Sequence, residues 1–146
     1  MFHYRVVQVV SGWVALCHLV LGAAGLLADA PLIAWMIRVF YAAEVEVTPT
    51  LFYVVKLVSV YYLAFGALAT AIMLQPRRYL ALLPIVVMFF VLRCAELVYF
   101  SSLLGEELRV PDNRLMEKIV SYVVIAALLG YSGYRLRAPA PDATAH

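Results

Sequence analysis

The stretch Leu51 to Leu104, LFYVVKLVSVYYLAFGALATAIMLQPRRYLALLPIVVMFFVLRCAELVYFSSLL, decides the fold, and its only charged residues are Lys56, Arg77, Arg78, Arg93 and Glu96. A bilayer core about 30 Å thick takes about 20 helical residues rising about 1.5 Å each. The segment supplies that length twice, once on each side of Gln75-Pro76-Arg77-Arg78. Pro76 has no N–H with which to continue the first helix, and so short a connection makes the two helices antiparallel neighbours. Closed barrels also satisfy the backbone in lipid, but their strands alternate polar and apolar residues, and Leu80 to Leu92 does not alternate.

Working outward, Val6 to Ala28 holds only Gln8, Ser11 and His18 as clearly polar residues, and Leu115 to Tyr134 is uncharged beyond Glu117 and Lys118. The expected spans are therefore 6–28, 51–74, 79–104 and 115–134. The fold class is an all-α integral membrane protein of four transmembrane helices in an antiparallel bundle. The connection Asp29 to Thr50 is too long and too apolar for a plain loop. Asp29 or Ala30 can cap a helix with Pro31 in its first turn, and Leu32, Trp35, Met36, Val39 and Phe40 recur at helical spacing. A short interfacial helix over about 31–43 follows. Ala28-Asp29-Ala30 fits a signal-peptidase pattern, but the apolar stretch is longer than a signal core and Pro31 follows the cut, so the first helix is expected to be retained. Residues 135–146, with Pro139 and Pro141 among small residues, read as a disordered cytoplasmic tail. Pro84 is expected to bend the third helix by removing the bond to the Leu80 carbonyl.

Composition agrees. Hydrophobic residues make up 66% of the 146 and charged ones 14%, and the mean hydropathy of +0.93 lies far above that of a soluble domain. A net charge of +2, from 11 basic against 9 acidic residues, excludes a nucleic-acid surface. Cys17 and Cys94 have no metal-ligand spacing, so no metal is expected. His3 and His146 lie outside the spans, which argues against a bis-histidine haem. No phosphate loop or nucleophile elbow occurs, and no cofactor is assigned.

Arg5, Arg77, Arg78, Arg135 and Arg137 fall on one side of this topology, unmixed with nearby acids. Arg38, Arg109, Arg114 and Lys118 fall on the other, among Asp29, Glu44, Glu46, Glu106, Glu107, Asp112 and Glu117. The positive-inside rule then puts both termini in the cytoplasm, and compact loops with no organelle signal favour a bacterial inner membrane.

Ionisable residues within a span cost about 2.5–3.5 kcal/mol each near its centre. Lys56, Arg93 and Glu96 are such residues, and His18 shares their layer in the outer half. Counted from the outer span ends, Lys56 lies about 8 Å deep, Glu96 about 12 Å, His18 about 15 Å and Arg93 about 17 Å. Arg93 and Glu96, three apart, fall on one helix face within reach of an ion pair. The ligand-binding expectation is thus His18, Lys56, Arg93 and Glu96 around an outer-half polar cavity. A purely structural role stays open: an interior Arg93–Glu96 staple, with Lys56 extending its ammonium to water.

Three functions fit this pattern. The first is a non-enzymatic subunit or binding protein holding a lipid, quinone or other amphiphile. The second is a small membrane enzyme or oxidoreductase subunit that moves protons through His18 and Glu96. The third is an oligomeric anion channel or transporter lined by Arg93. Expected partners are membrane lipids, a quinone or amphiphile, and a membrane-protein partner or second copies of the chain, with no nucleic acid.

Overall fold

The computed structural model describes residues 2–106 and 108–137, all-helical with no strand among them. In chain order come α1 (Phe2–Leu27), α2 (Ala30–Tyr41), α3 (Pro49–Leu74), a 3-10 turn at Leu80–Leu82, α4 (Leu83–Tyr99), α5 (Ser101–Glu106) and α6 (Asp112–Arg137). Four helical stretches, α1, α3, Leu80–Tyr99 and α6, are long and apolar enough to cross a membrane, and α2 is the shorter helix between the first two. α1 packs along α3, α6 along α4, and α1 against α6 joins the two pairs. We call the end carrying α2 the roof end and the opposite one, where α1 begins and α6 finishes, the terminal end.

Small residues bring α1 and α3 together. A methyl group at Gly22 would lie 2.8 Å from the Leu63 side chain and 2.9 Å from the Ser59 carbonyl oxygen, and one at Gly66 would lie 2.8 Å from Leu19. Only glycine allows this approach, the device membrane helices use where lipid removes the hydrophobic drive to associate. Towards the terminal end, Val7, Val14, Ala69, Ile72, Val86, Phe90 and Leu129 form one buried core from all four spans.

α2 begins where Asp29 Oδ1 accepts the Leu32 N–H at 3.0 Å, with Pro31 in the first turn, where a missing N–H costs nothing. It ends at Ala42, left-handed at φ 53°, whose N–H reaches the Arg38 carbonyl. Ile33, Ile37 and Tyr41, four residues apart, turn inward, while Leu32, Trp35 and Val39 stay exposed. Ala43 then packs with Leu97, Val110 and Leu115 in a second small core. α2 therefore leaves the end of α1 and finishes over α4 and α6, lying across the end of the bundle.

Several details differ from the sequence expectation. The expected helix 79–104 breaks at Phe100, where Ser101 Oγ donates to the Val98 carbonyl at 2.8 Å. Pro84 bends no helix interior, because Leu80–Leu82 forms a 3-10 turn and α4 starts only at Leu83, placing the proline in its first turn. Arg135 and Arg137 belong to the last turn of α6 rather than to a tail. The rest of the expected tail, His146 included, lies outside the described residues, as does Glu107.

Candidate functional site

Lys56, seven residues into α3, points to the end of α1. Its ammonium donates to the carbonyls of Gly25 at 3.1 Å and Leu26 at 2.8 Å, and to that of Ala28. These carbonyls lack helical partners because α1 stops there, and a cation also suits the negative end of the helix dipole. Three acceptors occupy all three N–H groups of a lysine. The Phe52 ring lies 4.7 Å from the ammonium on another side.

Arg93 and Glu96 form the anticipated ion pair on α4. Because α4 ends at Tyr99, Glu96 is only about 4.5 Å and Arg93 about 9 Å below its end, shallower than a helix running to Leu104 implies. The Arg93 side chain is 23% exposed and that of Glu96 47%. Arg93 works against a group of phenols. Burial pushes the Tyr41 phenol up to about 12; the neighbouring Tyr62 and Tyr122 push the same way, the Arg93 guanidinium opposes them, and Glu96 adds a further upward push. α2, α3, α4 and α6 thus each contribute to one polar-aromatic cluster.

Beside this cluster, under α2, lies a cavity of about 240 Å³. Ile33, Met36 and Ile37 roof it, Leu21 and Val55 form walls, and Tyr41, Tyr62, Tyr122 and Lys118 supply its polar groups. Lys118 is six residues into α6, about 9 Å below its start and level with Arg93. Its ammonium sits 4.3 Å from the centre of the Tyr41 ring and 5.8 Å from that of Phe40. Among the described residues no carboxylate lies within ion-pair distance of it, since Glu117 pairs with Arg114 at 3.2 Å and Glu96 with Arg93. The cavity is a mostly apolar chamber with one cation held by ring faces at its edge.

His18 lies on the bundle interior beside the rings of Tyr62, Phe65, Phe89 and Phe90, with centroids 4.9 to 6.2 Å away. Its Nδ1 is 2.8 Å from the Val14 carbonyl. A carbonyl only accepts, so Nδ1 carries a proton and Nε2 is left to exchange one. Phe65 on Phe89, 4.1 Å apart, bridges α3 and α4 beside it.

The four expected site residues are therefore divided. Arg93 and Glu96 meet, His18 stands within the aromatic group next to Tyr62, and Lys56 is committed to the α1 terminus. Lys118, Tyr41, Tyr62 and Tyr122 did not enter the sequence expectation as site residues. Lys118 counted there only as an outer-side charge at the start of the fourth span, yet Leu115, Lys118, Tyr122 and Leu129 recur on one face of α6, which periodicity alone can trace. Tyr41, at the end of α2, shares the Ile33–Ile37 face, which turns it inward. Cys17 and Cys94 are unpaired and half-buried, and among the described residues no three His, Cys, Asp or Glu side chains gather as metal ligands would. No family model, no curated protein and no solved structure matches this chain.

Proposed function

We propose that the protein is a non-enzymatic membrane subunit or binding protein that holds the head of an amphiphile, a lipid or a quinone, in the cavity under α2. The observation that carries this reading is Lys118: a cation at the edge of an apolar chamber, with aromatic faces around it and no carboxylate among the described residues at ion-pair distance. Such a charge is costly in a membrane unless it meets an anionic or carbonyl oxygen. Tyr41, Tyr62 and Tyr122 offer hydroxyl donors to the same group, and Arg93, held by Glu96, adds positive potential behind them. About 240 Å³ is less than a site that engulfs a drug-sized molecule; it suits one ring or head group, with the tail lying along the bundle in lipid. The arginines at the terminal end favour an orientation with both termini cytoplasmic, and the compact loops favour a bacterial inner membrane.

Proton transfer through His18 and Glu96 has less support, because Glu96 is engaged with Arg93 and His18 faces rings rather than a carboxylate. Native mass spectrometry of the detergent-solubilised protein, with lipid and cofactor extraction, tests the reading. Lys118→Met is the informative variant, since Arg93→Met would strand the Glu96 carboxylate. A bound small molecule in the wild type, lost in folded Lys118→Met, is expected. A ligand-free wild type that copurifies with another chain contradicts it and favours an assembly role.

A further inference from the structure

At the terminal end, on the side of the bundle away from α2, α4 and α6 part to leave an apolar groove of about 420 Å³. Pro84, Val87 and Val91 form one wall, and Gly130 and Tyr134 the other, with Arg137 at the mouth. The arginine is fixed there for a reason that starts in the sequence. Pro84 has no N–H to give the Leu80 carbonyl, so the chain opens as a 3-10 turn and that oxygen stays within reach of a side chain. The Arg137 guanidinium donates to it at 2.9 Å. One edge of the guanidinium is thereby pinned to α4, and its remaining N–H groups are left at the groove mouth. Gly130 keeps the floor open: a methyl group there would touch only Val87, at 3.8 Å.

Charge and length indicate what fills the groove. Arg5, Arg77, Arg78, Arg135 and Arg137 share this end, and among the described residues the acidic ones, from Asp29 to Glu106 and then Asp112 and Glu117, lie towards the other. The lining runs inward from Arg137 only as far as Val91 and Leu129, about 11 Å along the helices. A partner helix would need a seam along the whole bundle, whereas a short apolar groove below a fixed guanidinium fits the upper part of an acyl chain beneath a phosphate. We propose that this groove binds one anionic phospholipid, its phosphate on Arg137 and an acyl chain against Val87 and Gly130. The site is separate from the cavity under α2 and does not depend on what that cavity holds. Basic pockets between spans at the cytoplasmic face hold anionic head groups in this manner.

The test is native mass spectrometry of the full chain titrated with phosphatidylglycerol or with phosphatidylcholine of the same acyl chains. The wild type should retain one phosphatidylglycerol about fivefold more readily than phosphatidylcholine, the effect of one well-placed basic residue. Arg137→Gln should bring that ratio close to one, Gly130→Leu should reduce retention of both lipids by filling the floor, and Arg5→Gln should leave the ratio unchanged. Should Arg137→Gln fail to fold, Gly130→Leu still decides. A wild-type ratio near one overturns the proposal. So does an equal fall in Arg5→Gln, which would mark a diffuse field, or a dimer that Gly130→Leu abolishes, which would put a second chain in the groove.

Discussion

Lys56 and Lys118 are the same side chain at nearly the same depth, and what separates them is the acceptor each finds. Lys56 meets three carbonyls at the end of α1, whereas Lys118 meets two ring faces at a cavity edge. Lys56→Met should therefore cost about 1.5–3 kcal/mol, the range for hydrogen bonds to a charged group, seen as a lower midpoint in denaturant or heat. Lys118→Met should leave that midpoint unchanged or raise it. The sequence identified Lys56 as costly because it interrupts an apolar run. It could not identify its partners, because the α1 carbonyls become available only when that helix ends beside α3. Lys118 was obscured for the opposite reason: it stands near Asp112, Arg114 and Glu117 at the start of its span, where a charge reads as one more span-end residue until the inward face of α6 is traced. Tyr41 gives a second test at this scale. Its phenol is held at about 12 against an ordinary value near 10, so the folded state keeps that proton after the unfolded chain has lost it. Its contribution is complete below pH 10 and is lost as the pH rises towards 12. Tyr41→Phe should flatten the fall in stability over that window, followed by unfolding midpoints at successive pH values.

At the scale of elements, the α1–α3 pair depends on the absence of side chains. A methyl group at Gly25 would stand 2.2 Å from Ser59 Oγ, while one at Gly105 in α5 would meet nothing within 4 Å. Gly25→Ala should destabilise by about 1–3 kcal/mol through overpacking. Gly105→Ala should be neutral or stabilising by about 0.5–1 kcal/mol, the helical preference for alanine. Thermal unfolding of the two variants side by side checks both. The small residues Ser59 and Gly66 were legible as a packing face, because glycine and serine at helical spacing in an apolar run have few other uses. The break of the third span at Phe100 was not. Hydropathy stays high through Leu103 and Leu104, and helix termination here depends on a serine hydroxyl turning to the Val98 carbonyl, to which composition is blind.

Across the whole molecule, four spans bring the start of α1 and the finish of α6 to one end, and the charged residues sort by end. Among the described residues the unaccompanied arginines lie at the terminal end, and the acids, with their surface pairs Arg38–Glu44 and Arg114–Glu117, lie towards the roof end. Surface pairs of this kind add little stability; their distribution matters for orientation. The number of spans and the interfacial helix were readable because bilayer thickness sets the length of a span and α2 carries its own cap and proline. That α2 lies across the bundle and roofs a half-open cavity was not readable, because it depends on Ala43 packing with Leu97, Val110 and Leu115, residues far apart in the chain. The central claim is that this cavity holds a specific amphiphile. Its most direct test replaces methionine with a photoreactive diazirine analogue, irradiates the protein in native membranes, and weighs the peptides that carry Met36, which lines the cavity, and Met116, which is exposed on α6. A single discrete adduct on Met36, reduced in Lys118→Met and different from the spread of lipid adducts on Met116, is the predicted result; the same lipid spread on both positions, or no adduct on Met36, would contradict it.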